Sequence, residues 1–414
     1  MAVSTNPDCR RINDMPLTKQ KYQAEPPETI QLVLEEMTPS GECIAHFDGH
    51  HALISQGLPG ETVFAEVYTH KNGQKDGHVI EVLEPSEYRK EARCQYYGPC
   101  SGCQLQHVDY QHQLKIKTGF VAAAFKETGL PIDCIAETLG CDDPWEYRNH
   151  ARFTVRKGVL GFTNRFSHRF VQIDHCELMH PWINDSLQKL QGKCSETTQL
   201  SMRYGTATGS WLIQPPLKSV AVRVESGQTY YHEAILNNKF RVGSPSFFQV
   251  NTKQAEKMVA LLRESLKLSG NNVLVDAYAG VGTFAVLMAP FASQVVAIEE
   301  SSSAIKDAIE NIKGVNNVKL IEGKTEEVLS QLAIKPDAII VDPARVGCAP
   351  GTIAALVRFA VPRLAYVSCD PKSLARDIKL LTSGGYMLER VQPVDLFPHT
   401  YHVECIASLS SSGN

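Results

Sequence analysis

The chain has no strong charge bias and no apolar signal core near its first residue. Lys and Arg number 41 and Asp and Glu number 45 in 414 residues, which gives a formal net charge of −4. The overall charge therefore gives no sign of nucleic-acid binding, so any such surface must be local. The first 25 residues are polar and contain proline, and they predict a loose tail and a protein that is not exported.

A long uninterrupted hydrophobic run is also missing. Residues 273–298 carry Asp276 as their only charge, but Gly280, Gly282 and Pro290 divide them into a strand, a turn and a helix. This pattern predicts a nucleotide-binding unit and no membrane span. Without a signal peptide, the twelve cysteines favour free thiols or metal ligands in the cytoplasm over a disulfide framework.

Strands and helices alternate regularly in residues 246–414. Apolar runs predict strands near residues 273–277, 294–298, 318–321, 337–341, 364–367, 386–391 and 402–408, with helical stretches between most of them. Such alternation is typical of a doubly wound, Rossmann-like α/β sheet. Residues 392–401 are too few for a crossover helix, so we expect the last two strands to form an antiparallel pair at the sheet edge.

The residues before this domain have a different pattern. Residues 28–85 read as five short alternating strands between glycine, proline and polar turns, which predicts a small β-barrel. Residues 86–245 mix cysteines, a helix near residues 110–128 and further strands. The sequence therefore predicts a multi-domain chain: a flexible tail at 1–25, a β-barrel at 26–86, a central α+β domain at 87–245 and an α/β domain at 246–414.

A glycine-rich turn follows the first strand of the α/β domain. Gly280 and Gly282 lie in this turn, and Glu299 ends the next strand nineteen positions after Gly280. Glycines allow a close approach of the backbone to a ligand, and the carboxylate can accept hydrogen bonds from ribose hydroxyls. The motif therefore predicts an adenosine-containing cofactor, and by itself it also fits a nicotinamide-dependent dehydrogenase.

Cys369 lies between an apolar strand and the helix that Asp370-Pro371 is expected to begin. Backbone N–H groups at a helix start favour thiolate, so this position predicts a nucleophile with a lowered pKa. A small apolar side chain that merely fills space is the alternative. The motifs around Asp342 and Glu404 each end a predicted strand or turn, so a carboxylic acid and a base could converge on the thiol.

Four cysteines have the spacing of metal ligands. Cys94, Cys100 and Cys103 form a compact group, and Cys176 follows after 72 intervening residues. Four thiolates can hold zinc or an iron–sulfur cluster, and four unrelated thiols are the alternative.

Residues 148–173 contain no acidic residue. Basic and aromatic side chains alternate there: Arg148, Arg152, Phe153, Arg156, Lys157, Phe162, Arg165, Phe166, Arg169 and Phe170. Arginines can bind phosphates and aromatic rings can stack on unpaired bases, so the stretch predicts a local RNA surface. Two ordinary strands with buried phenylalanines and solvated arginines are the alternative.

The motifs around Asp342, Cys369 and Glu404 resemble those of the uracil-5 RNA methyltransferases. Residues 244–251, residues 276–282 and the four-cysteine pattern extend the resemblance, and residues 57–61 and 79–86 are similar to the TRAM domain, an OB-like barrel. The resemblance implies a TRAM barrel, a central RNA-binding domain with a 4Fe–4S cluster, and an S-adenosylmethionine-dependent methyltransferase domain.

The resemblance also implies roles for individual residues. Cys369 would add to carbon 6 of uracil and Glu404 would be the general base. The residues implied to line the S-adenosylmethionine pocket are Gln249, Tyr278, Glu299 and Asp342, although Asp342 could instead hold the uracil. The implied cluster ligands are Cys94, Cys100, Cys103 and Cys176. RNA is the implied partner of a monomer, with ribosomal RNA favoured over transfer RNA.

Related activities fit the motifs less well. Ala344-Arg345 replaces the second proline and the aromatic residue that amino-group methyltransferases carry after Asp-Pro. Ser368 precedes the cysteine, whereas DNA cytosine-5 methyltransferases have proline there. Thr283 replaces an asparagine of many relatives, so no contact is assigned to it. A non-catalytic RNA-binding factor and a cluster-dependent redox enzyme remain the alternatives from other classes.

Overall fold

The computed structural model describes residues 26–219 and 224–411. The predicted tail, residues 1–25, lies outside the described residues. The chain divides into two compact units, of which the first comprises the sequence up to Glu87 together with Arg165–His168. The second comprises Tyr88–Asn164 and the sequence from Arg169 onward.

The first unit contains the five strands that the alternating pattern predicted. They are β1 (Glu28–Val33), β2 (Cys43–Phe47), β3 (His50–Ser55), β4 (Thr62–Thr69) and β5 (Lys75–Glu84). They form one sheet in the order β1-β4-β5-β3-β2. Alternate residues of β4, such as Val63 and Ala65, are fully buried. The buried carboxylate of Glu61 accepts hydrogen bonds from the backbone N–H groups of Leu58 (2.9 Å) and Ser86 (3.0 Å) and so ties the end of the sheet together.

The second unit begins with α1 (Tyr110–Glu127) and an antiparallel sheet. Its strands are β6 (His150–Arg156), β7 (Val159–Thr163), β8 (Phe170–Gln172), β9 (Gln199–Tyr204) and β10 (Trp211–Gln214), in the order β10-β9-β6-β7-β8. Helix α2 (Pro181–Leu190) contributes Ile183 and Leu187 to the core under this sheet. A separate hairpin pairs β11 (Tyr230–Ile235) with β12 (Asn238–Gly243).

A seven-stranded sheet forms the rest of the unit, and it confirms the predicted α/β alternation. Its strands are β13 (Val273–Ala277), β14 (Gln294–Glu299), β15 (Val318–Glu322), β16 (Ala338–Val341), β17 (Arg363–Ser368), β18 (Met387–Val394) and β19 (Glu404–Ser410). The order is β15-β14-β13-β16-β17-β19-β18. Strand β19 runs antiparallel to both of its neighbours, β17 and β18, which confirms the antiparallel pair at the edge. The strand order reverses between β13 and β16, and ligands of open α/β sheets bind at such a reversal.

Helices cover both faces of this sheet. They are α3 (Thr252–Leu266), α4 (Thr283–Met288), α5 (Ser302–Asn311), α6 (Thr325–Gln331), α7 (Pro350–Phe359) and α8 (Pro371–Ser383). Successive residues of β13 enter opposite cores, with Leu274 in one and Val275 in the other. Helix α1 joins the second of these cores through Val121 and Phe125. No helix in the two described ranges has the length and apolar character needed to cross a membrane.

Candidate active site

The carboxyl ends of β13, β16 and β17 are neighbours at the point where the strand order reverses. Asp342 directly follows β16, and Cys369 directly follows β17. The backbone N–H of Asp342 lies 3.4 Å from the carbonyl oxygen of Ala277, the last residue of β13. Parallel pairing therefore brings motifs far apart in the sequence to one edge of the sheet.

The glycine turn after β13 has the positive φ angles that glycine adopts more readily than other residues. Gly280 and Gly282 have φ angles of 57° and 84°, and Gly282 caps α4. A Cβ added at Gly280 would meet no atom within 4 Å, so open space adjoins the turn. Glu299 accepts hydrogen bonds from the backbone N–H groups of Gly280 (2.7 Å) and Ser301 (2.7 Å). Its carboxylate thus joins the glycine turn to the start of α5.

Two carboxylic acids lie beside this turn: Asp276 is fully buried and Asp342 is half-buried. Burial raises the pKa of Asp342 to about 7. Burial, followed by the charge of Asp342, raises the pKa of Asp276 to about 8, and the nearby backbone N–H of Ala285 partly offsets both effects. Among the described residues, no group reaches hydrogen-bonding geometry to either carboxylate oxygen of Asp276. A buried carboxyl group without a hydrogen-bond partner, as at Asp276, fits a cofactor with positive charge, such as S-adenosylmethionine.

Cys369 occupies the predicted position between strand and helix, where Asp370 caps α8 through a 2.8 Å hydrogen bond from the backbone N–H of Ser373. The predicted lowering of the thiol pKa is wrong. Burial, and then the charge of Glu404, raise the pKa of Cys369 to about 11, although a hydrogen bond and the charge of Arg345 act in the opposite direction. The thiol is therefore protonated at neutral pH in the ligand-free protein.

Glu404 is the first residue of β19. The register pairs Ser368 with Cys405, so the next position in the antiparallel ladder places Cys369 opposite Glu404. Glu404 is buried, and this burial, together with the charge of Asp342, raises its pKa well above the ordinary value. The structure therefore brings the predicted nucleophile and the predicted base together.

Arg345 is a residue to which the sequence analysis gave no role. Its guanidinium lies close enough to lower the pKa of Cys369, and its Nη2 lies 2.6 Å from Nδ1 of His402. Asp276 likewise had no role predicted from the sequence. Both are charged residues inside the motifs singled out above: Asp276 lies within β13, and Arg345 follows the end of β16 by four residues.

The contacts of Tyr278 and Gln249 are with other parts of the second unit. The Tyr278 hydroxyl is 3.1 Å from Oγ1 of Thr352 on α7, and Tyr278 packs against the core on that side of the sheet. Gln249 is partly exposed, and its carbonyl oxygen lies 3.3 Å from Nδ2 of Asn149. The cap of α3 is Asn251, so Gln249 does not have the capping function that would be its simplest structural role.

The four spaced cysteines are close enough to influence one another. Burial raises the pKa of Cys94 to about 11 and that of Cys100 to about 12, and the charge of Cys176 raises both further. Cys103 is affected by all three of the others. All four thiols are free. In residues 26–219 and 224–411, no group of three or more His, Cys, Asp or Glu side chains is arranged to hold a single metal ion.

The basic and aromatic stretch is divided by the fold. Phe153 is buried and stacks on Phe162 with ring centroids 5.3 Å apart, so these two rings belong to the core under the sheet. Arg152 and Arg156 lie on the opposite, exposed face of β6. The Arg156 guanidinium lies 5.2 Å from the centre of the Phe170 ring.

The remaining part of this stretch belongs to the first compact unit. Arg165 lies 4.4 Å from the Phe166 ring centre, and its Nη2 is 2.7 Å from Oε1 of Glu42. For β6 and β7, the structure thus agrees with the alternative to an RNA surface, namely strands with buried phenylalanines and solvated arginines. Phe166 is exposed.

Known proteins resemble this chain in sequence and fold. The family model described as tRNA (Uracil-5-)-methyltransferase matches residues 228–412. The chain is 33% identical to an uncharacterized RNA methyltransferase of Caldanaerobacter subterraneus, over 92% of this chain and 97% of that protein. It is 30% identical to an uncharacterized RNA methyltransferase of Halalkalibacterium halodurans, over 95% of this chain and 99% of that protein.

A solved structure has the same fold. The tRNA (uracil-54, C5)-methyltransferase of Pyrococcus abyssi, in complex with S-adenosyl-L-homocysteine, matches with a TM-score of 0.72 at 22% identity and covers 92% of this chain and 99% of its own. At that identity the likeness concerns the multi-domain α/β fold alone.

The fold and the site together define an S-adenosylmethionine-dependent RNA methyltransferase. The doubly wound sheet and the glycine turn form the cofactor crevice. The two similar proteins are named RNA methyltransferases, and the match covers nearly the whole length of each. The chain belongs to the uracil-5 RNA methyltransferase family.

Proposed function

We propose that the protein methylates carbon 5 of a uridine in RNA through a covalent adduct between Cys369 and uracil. The observation that carries this proposal is the position of Cys369 opposite Glu404, one step beyond the last register pair of β17 and β19, where the charge of Arg345 acts on the thiol. A nucleophile, a cationic partner and a buried base at one site meet the needs of this reaction.

The chemistry follows from these groups. The Cys369 thiolate adds to carbon 6 of uracil, and the electrons of the C5–C6 double bond move onto the ring as an enolate. S-adenosylmethionine, when bound, supplies an electrophilic methyl group. The enolate forms a bond to this methyl carbon while the carbon–sulfur bond breaks, and that electron pair remains on sulfur. Glu404 then removes the proton from carbon 5, the bond from carbon 6 to sulfur breaks, and the Cys369 thiolate is restored.

Burial gives these groups a defined order of action. Because the pKa of Cys369 is high, the thiol must first release its proton to solvent, and Arg345 favours the resulting thiolate when the target uridine leaves its stack and enters the site. The raised pKa of Glu404 makes the ionised carboxylate a stronger base for the proton on carbon 5.

Four residues are proposed to bind the methyl donor. Glu299 would accept hydrogen bonds from the ribose hydroxyls, and Asp342 would bind the amino group of the donor or the uracil edge. Tyr278 and Gln249 would line the pocket, as the family resemblance implies. The glycine turn and the unpaired carboxylate of Asp276 support this assignment.

Cys94, Cys100, Cys103 and Cys176 are proposed to hold a 4Fe–4S cluster. The influence of each thiol on the pKa values of the others supports this proposal. The ligands of a 4Fe–4S cluster bind different iron atoms, so they need not converge on one ion. Anaerobically purified protein should contain about four irons and four acid-labile sulfides per chain, with charge-transfer absorbance in the visible region. Replacing these cysteines by serine should remove both, whereas replacing Cys134 should remove neither.

RNA binding is proposed for the regions before the catalytic domain. The TRAM-like barrel at 26–86 and the central domain at 87–245 would hold the RNA for the domain at 246–414, in a monomer that acts in the cytoplasm. The combination of a barrel with four spaced cysteines resembles the ribosomal RNA branch of the family, which favours 23S ribosomal RNA as the substrate. The names of the matching family model and of the Pyrococcus abyssi protein support transfer RNA as the second candidate.

One experiment tests the reaction, the nucleophile and the RNA together. Purified protein is incubated with methyl-labelled S-adenosylmethionine and unmodified ribosomal or transfer RNA, and the labelled nucleoside is identified after digestion. We expect 5-methyluridine from one RNA pool, none with Cys369→Ala, and a stable protein–RNA adduct with Glu404→Gln. Bound RNA without label in either pool would contradict the proposal and favour a non-catalytic RNA-binding factor.

A further inference from the structure

The connection between β18 and β19 is a buried loop. Residues 395–403 lead directly into Glu404, and none of them is exposed. Connecting segments normally lie on the surface, because buried backbone groups need hydrogen-bond partners. The partners of this loop come from distant parts of the second unit.

The first anchor of the loop is an ion pair with α1. Nζ of Lys117 lies 2.5 Å from Oδ1 of Asp395, and both side chains are fully buried. Nζ of Lys117 also donates to the carbonyl oxygen of Phe397 (3.1 Å). The hydroxyl of Tyr110 donates to Oδ2 of Asp395 (2.9 Å). The start of the loop is therefore fixed to one face of α1.

The second anchor is His399, at the middle of the loop. Its φ angle is 66°, in the left-handed region. Gln113 of α1 binds it twice: Oε1 accepts from the backbone N–H of His399 (3.1 Å), and Nε2 lies 3.1 Å from Nδ1 of its ring. The ring also stacks on Trp145, with centroids 3.8 Å apart.

His399 also binds the segment that follows Cys103, the third of the four spaced cysteines. The backbone N–H groups of Gln104 (3.1 Å) and Leu105 (3.0 Å) both donate to the carbonyl oxygen of His399. These donors are one and two residues after Cys103. His399 is thus the point where α1, the cysteine segment and the catalytic loop meet.

The contacts continue from His399 to the reacting groups. Oγ1 of Thr400 accepts from the backbone N–H of His402 (3.3 Å), and the His402 ring contacts Arg345, whose charge lowers the pKa of Cys369. Two residues beyond His402 lies Glu404. A shift of the loop would therefore move the base and the cationic partner of the nucleophile together.

We infer that His399 is a positioning residue that couples α1 and the cysteine segment to the base Glu404. The inference rests on the proposed function of Glu404 in removing the proton from carbon 5. A misplacement of about 1 Å in a reacting group can cost about a hundredfold in rate. Loss of the His399 contacts should therefore slow the step that uses Glu404 more than the addition of Cys369, whose helix and strand make none of these contacts.

The test compares His399→Ala with His399→Asn. Asparagine adopts positive φ readily, and its side-chain oxygen can accept from Gln113, so it preserves the anchor. For His399→Ala we expect a fall in kcat of about tenfold to a hundredfold, little change in KM for RNA or S-adenosylmethionine, and a protein–RNA adduct that accumulates on denaturing gels. For His399→Asn we expect kcat near that of the wild type. Gln113→Ala should reproduce the adduct, and the double variant should be no worse than either single one.

Several outcomes would overturn this inference. Unchanged kcat in His399→Ala would show that the anchor is dispensable. A fall in kcat without accumulation of the adduct would show general damage to the enzyme. Thermal unfolding of each variant identifies a folding defect. If His399→Ala fails to fold, His399→Asn and Gln113→Ala test the inference independently. If the wild-type protein itself produces no 5-methyluridine, that result contradicts the proposed function of the protein. It is then distinguishable from a failure of the inferred coupling, which is measured by comparing variants with an active wild type.

Discussion

Ser368 on β17 and Cys405 on β19 are register partners, and one position further along both strands Cys369 stands opposite Glu404. Directly opposite residues of an antiparallel pair share one face of the sheet. Strand β19, which lies between β17 and the edge strand β18, runs antiparallel to β17, and this reversal brings its first residue to the carboxyl end of β17. The antiparallel edge is therefore the feature of the fold that delivers a base to the thiol.

Thiol reactivity should report on the neighbours of Cys369. Removing the negative partner in Glu404→Gln should lower the thiol pKa and accelerate alkylation, whereas Arg345→Ala should raise the pKa and slow it. Below the pKa, each unit of change alters the thiolate fraction about tenfold. Iodoacetamide labelling between pH 7 and 10, followed for the peptide of Cys369 by mass spectrometry, measures the rates, and Cys134 in the same sample is the internal reference. Equal rates in both variants would contradict the geometry.

The stability of the ligand-free protein should fall as the pH rises through the range of the buried acids. Burial raises the pKa values of Asp276 and Asp342 to about 8 and about 7, whereas in the unfolded chain an Asp titrates near about 3.9. Between these limits the folded state binds more protons than the unfolded state. The contribution to stability is therefore complete below the unfolded pKa and is lost as the pH rises through the folded pKa, by up to about 1.4 kcal/mol per pH unit for each extra proton.

Thermal unfolding between pH 5 and 9 tests this dependence. Asp276→Asn and Asp342→Asn keep the shape of each side chain and remove the titration, so each should flatten the decline. Lys306→Ala, an exposed change on α5, should leave the decline as it is in the wild type. A decline of the same slope in both asparagine variants would assign the pH dependence to other groups.

The local pattern of the sequence was enough to predict the strands of the seven-stranded sheet, because each buried strand is a short apolar run. It also predicted that Asp342 and Cys369 would lie together, since both follow parallel strands. The partners of the catalytic loop could not be predicted in this way. Lys117 and Asp395 are 278 residues apart, and no periodicity relates a helix in the central region to a loop near the chain end.

The pKa of Cys369 shows why local reasoning was insufficient at the site. The start of α8 does favour a thiolate, as Asp370-Pro371 implied. The pKa depends more strongly on burial and on Glu404, which arrives from a separate strand. Tertiary burial and a long-range charge therefore outweigh the local helix effect.

The exposed face of β6 should contribute to RNA affinity. Replacing Arg152 and Arg156 by alanine removes two cations from that face and should lower affinity while leaving S-adenosylmethionine binding unchanged. The slope of log K against log salt concentration should become shallower by about two, because each phosphate contact contributes about one. The matched double variant of Lys306 and Lys319, both exposed and far along the chain, should leave the slope unchanged. Equal slopes for the two double variants would exclude this face as a phosphate-binding surface.

The buried pair of Lys117 and Asp395 should be essential for stability as a pair. Lys117→Met leaves the Asp395 carboxylate buried without its cation, and removal of one partner from such a pair costs about 3–5 kcal/mol. The double variant with Asp395→Asn removes both charges, and the remaining amide can still accept the hydrogen bond from Tyr110, so we expect it to recover much of that loss. Urea unfolding of the wild type, both single variants and the double variant measures the coupling free energy between the two side chains. Additive losses would mean that the ion pair contributes little, and the loop before Glu404 would then be anchored chiefly by Gln113 and His399.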